Sequence, residues 1–302
     1  MTANTATRKL NTLLTSFERR RPMRAGSLIV TIYGDAIVPR GGSLWLGSLL
    51  DMMAGFGIEP GLVRTALSRL VTDGWFERTR LGKHSYYRLS AQREAEFAVA
   101  TTRIYRASDP AWSGEMEIAI ITSSDAGQRG SHRDRMLKEG FGQAATNVML
   151  RPRMNSFAGD PQPEPRDIVS MVTRPESEEK MKALAQTCWQ LDELAVAYSK
   201  FLKSFGPMAR EIADGTQLTG AQAFQLRVLL VHDWRRIVLR DPLLPLAMLP
   251  ADWPGTRARA LIAEVYRRIL DSSERWLDLH AVDQNGALSS APPNVESRFL
   301  MA

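Results

Sequence analysis

Between residues 23 and 89 the apolar side chains recur first at helical and then at strand spacing. Leu28, Ile29, Ile32 and Tyr33 mark a first helix over 23–36. Pro39-Arg40-Gly41-Gly42 reads as a turn, and Ser43 suits the cap of a second helix over 44–54. Trp45, Leu46, Leu49 and Met53 would face inward on it, and Gly55-Phe56-Gly57 ends it. A third helix opens at Pro60, whose missing N–H would be unpaired in a first turn anyway. Val63, Ala66, Leu67 and Leu70 form its core stripe, while Arg64, Thr65, Ser68, Arg69 and Thr72 fall on the opposite side. Asp73-Gly74 stops this helix, with Gly74 supplying a left-handed cap. Two strands around a turn at Gly82-Lys83 complete the segment. A two-faced helix followed by a basic hairpin suits major-groove reading with backbone clamping, the layout of a winged helix-turn-helix.

Beyond it the pattern changes. Ser90 suits the cap of a helix running to about Arg106, and Asp109-Pro110 breaks the chain. Strands are expected at 115–122, 146–150 and 168–172, with a helix over 128–139 and a loop at 160–165. Residues 176–205 read as helix in two pieces. Strand, helix, strand, strand, helix is the order of a small ferredoxin-like α+β unit. The last third is helical: Thr219 can cap a helix over 220–240, Asp241-Pro242 ends it, and a final helix runs from about Arg257 to Leu279. Residues 281–302 read as a frayed tail.

Composition narrows the classes. With 302 residues, 44% of them hydrophobic, the chain can hold two or three cored domains. No apolar run reaches the roughly 18 residues that a membrane helix needs. Thr and Arg dominate residues 1–21, where the one acid is Glu18, and this composition reads as a basic tail rather than a transit peptide. A single cysteine, Cys188, rules out an internal disulfide framework and fits the reducing cytoplasm.

The net charge of +6 is segregated: residues 1–106 hold 16 Lys+Arg against 8 Asp+Glu, whereas the remainder holds 23 against 25. That is the electrostatic footprint of a DNA-binding module joined to one with another task. Arg64, Thr65, Ser68 and Arg69 are the candidates for base-edge contacts, since an arginine can bond guanine at two atoms at once. Arg78, Arg80, Lys83 and His84 on the hairpin would hold phosphates or probe the minor groove. No catalytic constellation stands out. Gly55-Phe56-Gly57 lacks the preceding strand of a phosphate loop, and four histidines with one cysteine show no paired metal-ligand spacing.

Three segments carry a resemblance to a known family. They are Ser27-Leu28-Ile29-Val30-Thr31-Ile32-Tyr33-Gly34-Asp35 with Pro39-Arg40-Gly41-Gly42 and Trp45-Leu46; Val63 to Leu70 through Tyr86-Tyr87-Arg88-Leu89; and Trp234-Arg235-Arg236 with Leu239-Arg240-Asp241-Pro242-Leu243-Leu244-Pro245 and Leu249-Pro250-Ala251-Asp252-Trp253-Pro254-Gly255. Together they resemble the PaaX-type repressors of phenylacetic-acid degradation operons.

The resemblance implies an α+β multidomain chain. Its parts would be a flexible tail (1–22), a winged helix-turn-helix (23–89), a linker helix (90–110), a dimerisation domain similar to the CRISPR-associated Cas2 fold, Cas2-like and ferredoxin-like (111–205), a C-terminal α-helical effector-sensing domain (206–280) and a tail (281–302). It also implies a cytoplasmic homodimer that binds double-stranded operator DNA and lets go when phenylacetyl-CoA, or a related acyl-CoA, binds. That thioester is an effector, and neither a cofactor nor a metal is implied. His232, Trp234, Arg235, Arg236 and Arg240, near Asp233, then read as a phosphate grip for coenzyme A, with Trp189, Trp234 or Trp253 walling an aryl or adenine pocket. The competing reading is a structural charge cluster at a helix C-terminus. A second function class, nucleic-acid processing by the Cas2-like part, needs an Asp at the end of the first strand to hold a metal. Here that strand ends Ile121-Thr122-Ser123-Ser124, and Asp125 comes later, where it suits a helix cap. The reading is therefore of a regulator, not an enzyme.

Overall fold

The computed structural model describes residues 2–20, 25–106, 112–154 and 165–300. The expected first residues of the first helix, the break at Asp109-Pro110 and most of the 160–165 loop lie outside them. Helices and small antiparallel sheets mix in an α+β chain that divides into two compact units. The larger comprises Met1–Ala107, Lys200–Leu239 and Arg257–Ala302, and the smaller comprises Ser108–Ser199 and Arg240–Thr256. The last helices therefore share a unit with the first ones instead of forming a separate domain over 206–280. Hydrophobic periodicity reveals the stripe on each helix but not which stripes meet.

In chain order the larger unit opens with α1 (Thr2–Glu18) and α2 (Ala25–Ile32). The former replaces the flexible tail expected there: Ala6, Leu10 and Phe17 are buried, spaced for one helical face. The α2 helix runs into a π-helical turn at Tyr33–Ile37 and a short 3-10 turn at Val38–Arg40. Next come β1 (Ser43–Trp45), α3 (Leu46–Ala54), α4 (Pro60–Thr72), β2 (Phe76–Leu81), β3 (His84–Leu89) and α5 (Glu94–Tyr105). Ser43 is thus not a helix cap but the start of a third strand, and the sheet order is β1-β3-β2. Its hydroxyl donates to Gln284 Oε1 (2.6 Å). Ser90 likewise leaves its helix uncapped, donating instead to the Gly74 carbonyl (2.6 Å). Gly74 itself has φ +71°, the left-handed stop foreseen for α4.

The smaller unit follows with β4 (Trp112–Ile121), α6 (Ala126–Lys138), β5 (Gly142–Ala145), β6 (Val148–Met154), β7 (Ile168–Thr173) and α7 (Glu178–Cys188). Its sheet is antiparallel with order β5-β6-β4-β7. The strand β5 was not foreseen, because Gly142-Gln143-Ala144-Ala145 has no strand propensity and pairs only through its backbone. One sheet face packs Ala119, Ile121, Met149 and Ile168 against Met136 and Phe141. The first residues of α8 (Leu191–Ala213) lie in this unit and carry Tyr198, whose hydroxyl donates to Asp241 and whose ring meets Trp253 edge-on at 5.9 Å; from Lys200 the helix belongs to the larger unit. A Cβ on Gly255 would lie 3.1 Å from that tyrosine ring and closer still to Trp253. The Asp-Pro and Asp-Trp-Pro-Gly run is therefore a packed knot around Tyr198.

Back in the larger unit, α9 (Gly220–Val238) starts with a capping box between Thr219 and Gln222. It precedes α10 (Pro254–His280), a two-residue hairpin of β8 (Val282–Asp283) and β9 (Gly286–Ala287), and α11 (Pro293–Glu296). The frayed tail expected over 281–302 is instead packed: Leu288, Val295 and Phe299 are buried. An ionic hub joins the helices. Arg227 on α9, fully buried, donates to Asp35 Oδ2 (2.6 Å) and to Glu274. Arg40, also buried, donates to Glu274 and to Asp278 Oδ1 (2.7 Å) on α10.

Candidate nucleic-acid interface

The α4 helix buries Val63 and Leu67 and half-buries Ala66 and Leu70, as its spacing requires. Arg64, Thr65, Ser68 and Arg69 are all exposed on its other side. The Thr65 hydroxyl donates back to the Gly61 carbonyl (3.0 Å), which leaves its oxygen able to accept. Neither arginine forms an ion pair among the described residues, so both guanidinium groups are available to an anionic partner.

The hairpin divides its candidates between two faces. Phe76, Arg78 and Arg80 alternate onto one face of β2, with Tyr87 and Leu89 opposite on β3. Phe76, Tyr87 and Leu89 are buried at the base of that face, where the Phe76 ring meets Tyr33 edge-on at 4.6 Å. Farther out the same face carries Arg78 and Arg80 into solvent. Arg78 Nη2 donates to Ser85 Oγ (2.8 Å) and Arg80 Nε to the Gly82 carbonyl (3.1 Å). These bonds hold the two side chains in set directions without neutralising them. Lys83 is exposed in the turn. His84 lies on the other face, opposite Leu81, with its ring 5.3 Å from Trp45. It is a half-buried buttress between hairpin and β1 more than a projecting hand.

The residues of the proposed coenzyme A grip are divided between the two units. Trp234 is buried and its indole donates to the Ile104 carbonyl (2.9 Å). His232, 3% exposed, bonds Thr31 Oγ1 through Nδ1 (2.9 Å). Thr31 Oγ1 also lies within donating reach of the Ser27 carbonyl (3.0 Å), and with that bond made, the Nδ1-protonated ring completes the network. Arg235 donates to the Ser27 carbonyl and hydroxyl (3.0 and 2.9 Å), and burial pulls its pKa down from the usual guanidinium value. Its Nε is buried without a partner. Arg236 is exposed, and Arg240, exposed too, belongs to the smaller unit. Trp189 donates to the Gly140 carbonyl (3.1 Å), also in that unit. In the larger unit, then, His232 and Arg235 hold Thr31 and Ser27, while Trp234 is tied to the Ile104 carbonyl.

Asp125 caps α6, its Oδ1 accepting from Gln128 N (2.7 Å). Among the described residues no three of His, Cys, Asp and Glu gather as a metal site, and no helix is long and apolar enough to cross a membrane. Sequence reading missed the hub of Asp35, Arg227, Glu274 and Arg298. Its one signal was an acid, Asp35, directly after an apolar helix stripe.

Two family models match. One described as PaaX-like protein covers residues 24–93, and one described as PaaX-like protein C-terminal domain covers residues 189–279. The transcriptional repressor PaaX of Escherichia coli (strain K12) is 34% identical over 271 residues, which are 86% of this chain and 85% of that protein. Among solved structures, the uncharacterized protein Rv0674 from Mycobacterium tuberculosis is 27% identical, with 75% of this chain and 90% of that one covered at a TM-score of 0.49. The chain belongs to the PaaX-like family.

Proposed function

We propose that this protein is a transcriptional repressor that binds operator DNA of a phenylacetate catabolic operon in the cytoplasm and is released by an aryl-CoA effector, phenylacetyl-CoA. The single observation that carries the DNA-binding part is the set of exposed cations Arg64, Arg69, Arg78, Arg80 and Lys83, the first two on a helix whose reverse face is buried and the others on a hairpin anchored at its base by buried Phe76, Tyr87 and Leu89. In this reading residues 25–89 are a winged helix-turn-helix with α4 in the major groove and the hairpin as its wing. The 34% identical transcriptional repressor PaaX supports the repressor role, and the resemblance to the family supports the operon. The strand order β5-β6-β4-β7 of the smaller unit supports a ferredoxin-like, Cas2-like domain, which we assign to dimerisation. For the effector, the support is the family and the arginine pair at the end of α9. Arg235 holds a buried donor that an anionic group would satisfy, beside exposed Arg236.

Mobility shifts test the groove assignment. The Arg64→Ala protein should bind operator more weakly by about 1–3 kcal/mol and discriminate less at one base position. Arg80→Ala should weaken binding alike on all sequences and reduce the slope of log affinity against log salt by about 1. Unchanged affinity in both proteins would refute the assignment. Calorimetry with phenylacetyl-CoA, free phenylacetate and free coenzyme A tests sensing. The thioester should bind and its addition should abolish the operator shift, and if none of the three binds, the sensing role fails while DNA binding stands.

A further inference from the structure

The π-helical turn at Tyr33–Ile37 faces two ways. On one side Asp35, 1% exposed, is surrounded by donors. Its carboxylate accepts from Arg227, Tyr105, Tyr266 (3.0 Å) and Arg298 (3.0 Å). Its backbone carbonyl accepts from Arg227 Nη2 (3.1 Å) and Arg298 Nη1 (2.7 Å). On the other side Tyr33 donates to the Tyr87 carbonyl (3.1 Å) at the base of the hairpin and packs against Phe76. One turn of chain thus ties the segment carrying Arg298 to the two strands that carry the candidate phosphate contacts.

That segment is held by its docking and little else. The α11 helix has four residues, far below the roughly 12–15 that persist unaided. Arg298 lies 4.0 Å over the Tyr105 ring, and Phe299 fits between Tyr105 and Tyr266, 5.2 Å from each centroid. Phe299 adopts φ +62°, a left-handed conformation that costs a side-chain-bearing residue roughly 1–2 kcal/mol. A strained residue beside a short helix, plugged into a slot with a buried carboxylate at its floor, has the physical makings of a detachable strap.

We propose that residues 293–299 form a regulatory strap. Docked, Arg298 and Phe299 fix the π turn and, through Tyr33, hold the hairpin base in its DNA-binding posture. Released, they leave the Asp35 carbonyl one donor short, the turn re-forms its backbone bonds, and the hairpin base loses its anchor. π-helical turns are frequent at such functional places. The strap rests on the DNA-binding reading above, and Arg298 acts in it as a positioning residue, not as a DNA contact. Linkage requires the converse as well: operator binding must tighten the strap.

Hydrogen exchange on the unmodified full-length chain, with and without operator, reads that converse directly. Amides of residues 294–299 should exchange more slowly with operator bound. In parallel, Arg298→Gln should weaken operator binding about tenfold, the scale of a coupling change at a distance, and Arg298→Lys should recover part of it by restoring the charge. Equal operator affinity in Arg298→Gln and the unmodified chain overturns the strap, and so does unaltered exchange at 294–299 on adding operator. Should Arg298→Gln fail to fold, the exchange result on the unmodified chain decides alone. An unmodified chain that shifts no operator overturns the DNA-binding reading and the strap with it.

Discussion

Replacing Arg227 with methionine is expected to destabilise the larger unit by about 3–5 kcal/mol, the cost of leaving a buried charge without its partner. Arg227 and the carboxylate of Asp35 are both fully buried. Burial alone would drive the Asp35 pKa up. The charges of Arg227 and Arg298, with hydrogen bonds from Tyr105 and Arg227, outweigh burial and hold it below the usual carboxylate value. On the other partner, burial pulls the Arg227 pKa down, but Asp35, Tyr266 and Glu274 overcome it and keep the guanidinium charged. Methionine fills most of the arginine's volume, so the loss reports the stranded carboxylates of Asp35 and Glu274 rather than a cavity. Urea unfolding measures it, and the double variant Arg227→Met, Asp35→Asn should recover part of the loss, because a neutral amide needs less compensation. A single-variant loss under about 1 kcal/mol would mean that the hub does not hold the helices together. The net worth of the intact hub is a separate matter. Buried ion pairs often give little over a well-packed apolar core, and their value lies in fixing which helix faces meet.

The hub also marks where sequence reading stopped. Element type and inward stripe were legible for α4, the hairpin, α9 and most of α10, because a period of 3.6 or 2 survives whatever the element packs against. The exposed side of α4 was legible for the same reason: once Val63 and Leu67 face in, Arg64 and Ser68 must face out. Three features were not legible. Helix α1 looked like a tail because its apolar residues are sparse, and only packing on the rest of the unit makes them a stripe. Ser43-Leu44-Trp45 looked like a helix start because a three-residue strand has too few positions to show alternation. The burial of Trp234 and His232 was hidden by their charged neighbours, since Arg235 and Arg236 advertise a surface while their helix lies in the core. A residue type proposes a chemistry, but exposure, which depends on distant parts of the chain, decides whether it can meet a ligand.

His232 shows what that burial does to stability as acid is added. Burial comes first among the causes that lower its pKa from 6.5 to about 3; the charge of Asp233 opposes it, and those of Arg235, Arg236 and Arg20 add to it. Folded, the ring therefore stays neutral at pH values where the unfolded chain has already taken up a proton. Above pH 6.5 neither state is protonated, and this group adds no pH dependence. Between 6.5 and about 3 the unfolded state binds one proton more, so stability falls as pH falls, by up to about 1.4 kcal/mol per pH unit. Asp35 extends the loss: its folded pKa lies below 3.8, so it removes further stability as pH drops through that region. Urea midpoints measured from pH 7 to 4 should decline along this slope in the unmodified protein. His232→Asn keeps a donor for Thr31 but cannot be protonated, so its decline over the same interval should be flatter by most of one proton's worth. Identical pH profiles for the two proteins would show that the ring titrates freely in the fold, and the assignment of His232 as a neutral core donor, rather than an ionisable ligand for an anionic effector, would fall.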